Sequence, residues 1–245
     1  AGGGGGGGGA AAVSGWDRAR AFNGCRVRYR AVHKEPAGYV NSAARAVYFI
    51  QAKAGSSAVR YSMKRDGIYW HRERERNFTR FTFVRDPASR LVSAFLYQKQ
   101  LCSEGEGKNI CVRNYTSGEV VRWFEEFVDR LDAFRDLRSR CWESHVAAQR
   151  GRLPDPAQYP MDFIGDLGSI GADWQEVRRY QLEKFNVTLG DLRKTQFKAS
   201  RCERLLFNVT LVPDRTMAKI CDIYRDDYCC LRYPIPRACK IDCHE

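Results

Sequence analysis

Short apolar runs alternate along this chain with stretches that repeat at helical spacing. Ala46–Ala52, AVYFIQA, is rich in β-branched and aromatic residues and predicts a buried strand. It runs into Lys53-Ala-Gly-Ser-Ser57, a turn of small residues. Ala58–Lys64 then reads as a helix, with Ser56 or Ser57 as its N-cap. Phe81–Val84 predicts a second strand, with Phe81 and Phe83 on one face and Thr82 on the other. Arg85-Asp-Pro87 ends it, because proline cannot donate to a ladder and suits a first helical turn. Ser89–Lys99 follows as that helix, with Leu91 and Phe95 spaced by four. Thr116-Ser-Gly-Glu119 fits a capping box, after which Val120, Phe124, Phe127, Leu131 and Phe134 keep helical spacing to about Arg140. Gly151–Pro160 is a proline-bearing loop, Met161–Ile164 a third strand and Asp173–Phe185 a helix. Asp214–Tyr228 is a last helix, with Met217, Ile220, Cys221 and Tyr224 on one face. Strands that alternate with helices predict an α/β fold, a parallel sheet flanked by helices. The chain has no internal repeat.

Composition divides the chain in two. Ala1–Gly15 is almost wholly Gly, Ala and Ser and cannot bury enough surface to offset its ordering entropy. It reads as a flexible stem or linker, residues 1–15, ahead of one domain, residues 16–245, whose core spans about 45–233. Lys and Arg outnumber Asp and Glu by 41 to 29, for a net charge of +12. That balance favours anionic partners such as phosphates, sulfated or uronic-acid glycans, nucleic acid or membrane surfaces. A solvated basic surface would carry the same balance. The longest apolar run, Ala46–Ile50, is far below a membrane span.

There are 10 cysteines and no repeated Cys-x-x-Cys pair, so zinc ligation is disfavoured against disulfides and no metal is expected. Cys102 and Cys111 bracket a polar loop and make the one pair that the sequence suggests. Four of the seven asparagines stand in glycosylation sequons, at Asn77, Asn114, Asn186 and Asn208. Cysteines and sequons together point to the secretory pathway. They argue against a nucleic-acid partner, as does the lack of any aromatic-interleaved basic motif.

Two segments carry candidate chemistry. In the first, a strand ends at a glycine turn and a helix begins, which presents backbone N–H groups to a phosphate. There Lys53 adds a point charge, Gly55 beside the small Ala54 lets the backbone approach the anion, and Ser56 and Ser57 add hydroxyl donors. A Walker A pattern is absent, which argues against an ordinary ATPase or GTPase. Small-residue turns before helices are also common without any ligand. In the second segment, FTFVRDPASRLVSAF, Arg85 sits at the carboxyl end of a strand and Ser93 on the helix that follows, with Ser89 and Arg90 crowding the same end. An arginine plus a hydroxyl suits a phosphomonoester at a place where open α/β sheets bind ligands. The bland reading of the same residues is an Arg–Asp pair that stabilises a strand–helix corner.

Lys53-Ala-Gly-Ser-Ser57 resembles the 5′-phosphosulfate loop of sulfotransferases that use 3′-phosphoadenosine-5′-phosphosulfate (PAPS). Arg85-Asp-Pro-Ala-Ser-Arg-Leu-Val-Ser-Ala-Phe95 resembles their 3′-phosphate segment, in the form R-D-P-x-x-R-L-v-S-a-[FY] of the Golgi carbohydrate sulfotransferases. His145-Val-Ala-Ala-Gln149, Tyr159–Gly165 and Tyr224-Arg-Asp-Asp-Tyr228 with Tyr233 resemble later motifs of that group, with departures at Val146 and Gly168. The resemblance spans roughly Arg45 to Tyr233. It implies the sulfotransferase fold, a P-loop-like sheet, and transfer of a sulfuryl group from PAPS to a hydroxyl of a carbohydrate or glycan acceptor, an anionic glycan among the candidates. It implies that Lys53 stabilises the leaving phosphate, that Ser56 and Ser57 hold the 5′-phosphate, and that Arg85 and Ser93 hold the 3′-phosphate. It places the protein in the Golgi lumen, secreted or as a type II membrane protein anchored upstream of this chain. Two histidines stand open as the base, His145 at the later motif and His71 between the phosphate segments, with Glu73 and Glu75 as outside candidates. A catalytically inactive anion- or glycan-binding module on the same fold, and a nucleotide-dependent kinase, are the competing readings.

Overall fold

The computed structural model describes residues 13–25, 38–63, 77–101, 116–131, 145–192 and 207–243. A four-stranded sheet lies at its centre, in the order β1 (Gly38–Asn41), β2 (Ala46–Phe49), β3 (Thr79–Val84), β4 (Phe163–Asp166). The last three strands are parallel, as the alternation of strands and helices predicts. β1 is antiparallel to β2, pairing Gly38 with Phe49 and Asn41 with Ala46, so the sheet is mixed. Four residues give too short a pattern to identify β1 from sequence, and it adds an edge before the expected start of the core.

Period-two alternation sorts the strand residues onto two buried faces. Tyr48, Phe81, Phe83 and Phe163 face one way and pack with Val59 of α2 (Ser56–Ser62), with its C-cap Met63, and with Trp174 and Val177 of α5 (Ile170–Phe185). Val47, Phe49, Val84 and Ile164 face the other way. They pack with α1 (Gly15–Asn23), α3 (Pro87–Leu101), α4 (Ser117–Asp129), α6 (Asp214–Ile223) and α7 (Arg225–Cys230). Both faces are covered, the usual condition of parallel strands. Thr82 falls on the second face as expected, and its hydroxyl donates to the Phe49 carbonyl (2.7 Å), which satisfies a buried polar group. Gly165 lets β4 approach β3 closely: a Cβ there would lie 2.5 Å from the Phe83 ring.

Local signals explain most helix ends. α4 carries the full capping box: the Glu119 N–H donates to Thr116 Oγ1 (3.3 Å), and the Thr116 N–H donates to Glu119 Oε2 (2.9 Å). α3 starts at Pro87, and Asp86 caps it by accepting from the Ser89 N–H (2.8 Å). Asp86 therefore stabilises the strand–helix corner as a cap. The expected single helix over Asp214–Tyr228 is two helices that meet at Tyr224 (φ −109°, ψ 24°).

α1 is the element least visible in the sequence. Ser14 caps it, accepting from the Asp17 N–H (3.1 Å), so regular structure begins at Gly15, just ahead of the expected start after Trp16. Its buried face includes a charge, Arg18, which no apolar periodicity marks. Arg18 donates to the carbonyls of Leu231 (2.9 Å) and Ile164 (3.3 Å). Asn23 exchanges two hydrogen bonds with the Met161 backbone (2.8 and 2.9 Å), and Trp16 packs edge-on against Phe163.

Among the described residues, three disulfides clamp the C-terminal segment: Cys25–Cys230, Cys221–Cys239 and Cys229–Cys243. Cys102 and Cys111, with His71, Asn114, Cys141 and Cys202, lie outside the described residues. Cys25–Cys230 closes a loop across a sequence separation of 205 residues, so it constrains nearly the whole unfolded chain. Replacing both of these cysteines by serine is expected to remove about 2–5 kcal/mol of stability, read as a lower urea midpoint. An unchanged midpoint would mean that the hydrogen bonds of Arg18 and Asn23 hold α1 without the bond.

Candidate functional site

The connections that leave β2, β3 and β4 at their carboxyl ends lie side by side, because those strands are parallel neighbours. The connection after β2 runs through Lys53 and Gly55, both left-handed (φ 64° and 76°). A left-handed conformation costs a non-glycine residue about 1–3 kcal/mol and concentrates at functional sites. At Gly55 a Cβ would meet Ile170 (2.6 Å) and Leu167 (2.9 Å) beside the start of α5, so glycine is required by backbone and by space. Ala54 is buried, while Lys53, Ser56 and Ser57 are half-buried. The N-cap of α2 is Gly55 and makes no side-chain cap, so Ser56 and Ser57 are the first helical residues rather than caps as expected. The two left-handed residues complete the turn early, and the helix starts before either hydroxyl stands in the capping position. Gln51, which precedes this turn, is fully buried, and its carboxamide makes no hydrogen bond.

Arg85 is the first residue after β3 and is half-buried, and Ser93 is buried on α3. Gln149 holds Arg85 by its backbone: Oε1 accepts from the Arg85 N–H (2.9 Å) and Nε2 donates to the Arg85 carbonyl (2.8 Å). This carboxamide does what one more strand residue would do, and it fixes the segment that begins at His145 against the end of β3. His145 itself is half-buried.

The same segment is gripped from below. Asp227 is fully buried, and its carboxylate accepts from the N–H groups of Gln149 (2.8 Å) and Arg150 (2.7 Å). Burial pushes its pKa up, while the Arg150 N–H, the Arg90 charge and the Gln149 N–H oppose that shift. Tyr224 donates to the Val146 carbonyl (2.5 Å). Arg90 donates to the carbonyls of Ala52 (3.1 Å) and Ala147 (2.9 Å). At the end of β4, Asp166 accepts from the Tyr233 hydroxyl (2.7 Å) and from the Gly168 N–H (2.6 Å), with Arg18 at 3.9 Å. Burial and the Asp166 charge raise the Tyr233 pKa well above its ordinary value, so Tyr233 is a hydrogen-bond donor to that carboxylate. Among the described residues no group of three or more His, Cys, Asp or Glu is placed to hold a metal ion.

The model of the sulfotransferase family matches residues 45–234. The chain belongs to the sulfotransferase family. The match covers the three parallel strands β2 to β4, both candidate segments and the frame formed by Gln149, Tyr224 and Asp227. The chain is also similar to carbohydrate sulfotransferase 14 of Mus musculus, with 25% identity over 191 residues. That alignment takes in 71% of this chain and 47% of the relative, so the chain spans about half the length of the curated protein it matches. No solved structure matches.

In this member of the sulfotransferase family the structure brings the Lys53–Ser57 turn, the Arg85 strand end and the His145 segment to one edge of the sheet, and His71 lies outside the described residues. The residues that sequence reasoning left without a role are Gln149, Asp227 and Tyr224. They stand inside the quoted motifs, which was the available signal. Their partners are backbone groups, which no side-chain pattern can reveal. Asp227→Asn replaces one acceptor oxygen by a donor that faces a backbone N–H. It is expected to cost about 1–3 kcal/mol, measured by urea unfolding. Wild-type stability in that variant would show that the two backbone hydrogen bonds carry no net weight.

Proposed function

We propose that the protein transfers a sulfuryl group from PAPS to a hydroxyl of a carbohydrate acceptor. The observation that carries this reading is the pairing of two donor sets at adjacent parallel strand ends. Lys53 with Ser56 and Ser57 follows β2, and Arg85 with Ser93 follows β3, within a family match that includes both. Two cationic side chains and three hydroxyls fit a nucleotide that carries phosphate at both its 5′ and 3′ positions. The left-handed turn at Lys53 and Gly55, and the unpartnered Gln51 carboxamide beside it, are what a prepared ligand turn would contain.

When bound, PAPS supplies a sulfuryl group attached to a phosphate that can leave. The acceptor hydroxyl oxygen forms a bond to sulfur as the bond from sulfur to the phosphate oxygen breaks. Lys53 stabilises the charge that collects on that phosphate, from a position that backbone geometry holds fixed. Ser56 and Ser57 bind the 5′-phosphate, and Ala54 and Gly55 keep the turn tight around it. Arg85 and Ser93 bind the 3′-phosphate. The proton of the acceptor hydroxyl goes to a histidine, His145 or His71, of which His145 stands in a segment anchored to both phosphate sites. The acceptor class follows the similarity to carbohydrate sulfotransferase 14, and the net charge of +12 suits an anionic glycan. Three disulfides and the sequons at Asn77, Asn186 and Asn208, all exposed, support an oxidising compartment of the secretory pathway, and the Golgi lumen is our reading of it.

Lys53→Ala is expected to lower kcat for radiolabelled sulfate transfer to a glycan panel by about 10²–10³-fold, with affinity for the product nucleotide PAP largely kept. Full activity would remove Lys53 from the chemistry. Tighter binding of ATP than of PAP would point to a kinase, and PAP binding without transfer to any glycan to an inactive binding module. Arg85→Ala is expected to weaken PAP binding by about 10–100-fold in calorimetry while leaving adenosine 5′-phosphosulfate, which has no 3′-phosphate, unaffected. Equal loss for both ligands would place Arg85 elsewhere than at the 3′-phosphate.

A further inference from the structure

Arg90 is 1% exposed, a charged side chain inside the protein. Burial is costly for a guanidinium, which keeps its proton in proteins and must be compensated where it stands. Compensation here is partial. Nε and Nη1 donate to carbonyls, the Asp227 carboxylate lies within electrostatic reach, and Nη2 has no hydrogen-bond partner. An apolar side chain of similar size would fill this space without an orphaned donor.

The identity of the two carbonyls gives the arrangement its meaning. Ala52 immediately precedes Lys53, and Ala147 follows His145 by two residues. The first lies in the connection after β2 and the second in the segment that leads toward β4. A guanidinium is planar, and the spacing and direction of its donors are fixed. By binding one carbonyl with Nε and the other with Nη1, it sets the separation of two backbone segments that no strand pairing joins. Gln149 and Asp227 attach the His145 segment to β3 and α7, but neither reaches the turn after β2.

We propose that Arg90 is a positioning residue for sulfuryl transfer, which fixes the Lys53 turn and the His145 segment relative to each other so that both reach one reacting centre. This rests on the donor and base roles given above. Displacement of a reacting group by about 1 Å can cost on the order of 10²-fold in rate while leaving binding intact.

The test is Arg90→Lys, which keeps the charge but loses the planar fork, with Arg90→Gln as a second variant should the lysine fail to fold. Each is compared with wild type by urea unfolding, by PAP calorimetry, by steady-state kinetics and by the pH titration of the His145 ring resonances. The expected result is a folded variant with little change in PAP affinity or acceptor KM, kcat lowered about 100-fold, and a displaced His145 titration. A folded variant with wild-type kcat and an unmoved His145 titration would overturn the proposal. So would losses of kcat and PAP binding that both track the unfolded fraction, which mark a role in stability alone. Should wild type transfer no sulfate, the sulfotransfer reading fails, and the titration of His145 in the variants decides by itself whether Arg90 holds that segment.

Discussion

A buried carboxylate orders this half of the molecule. Asp227 lies entirely inside, and a charge in that position is tolerated only with its partners in place. Its partners are two consecutive backbone N–H groups, those of Gln149 and Arg150, with the Arg90 charge nearby. None of these can move away without leaving Asp227 uncompensated. The irregular segment that carries His145 is therefore held as firmly as a strand would be, although it pairs with no strand along its length. Gln149 then uses the position so gained to pair with the Arg85 backbone. Polar groups in the interior, rather than apolar packing, place the loops.

The sheet sets where those loops emerge. Parallel strands deliver their following connections to one edge, and covering both faces with helices leaves that edge as the natural place for a ligand. The C-terminal segment contributes from outside the sheet. It brings Asp227 to the His145 segment and Tyr233 to Asp166 at the end of β4, and three disulfides tie it to α1, to α6 and to itself. The loops at such an edge are free to diversify while the scaffold beneath them stays rigid. The trapped charges and the covalent links supply that rigidity here.

Much of the fold was legible in the amino-acid order. β2 follows from a run of β-branched and aromatic residues, β3 from period-two alternation, and α4 from helical spacing and a capping box, all of which are local signals. The Lys53–Ser57 turn and the Arg85–Phe95 segment were legible as phosphate-binding candidates because the residue types themselves carry the chemistry. α1 and β1 were not. One buries an arginine, and the other is four residues long, so neither offers a pattern that outweighs chance. The break at Tyr224 was also hidden, since both helices keep the same apolar spacing across it.

The sequence by itself determined the order and character of the elements, the two segments that are candidates for binding anions, and the family. These are properties of neighbouring residues, which physical chemistry reads one segment at a time. Only the tertiary structure decided that a single buried arginine spans the turn of Lys53 and the segment of His145, and that Gln149, Tyr224 and Asp227 exist to hold backbone groups. Their partners are carbonyls and N–H groups from distant parts of the chain. Every residue presents those same groups, so nothing in the order of side chains could have singled them out.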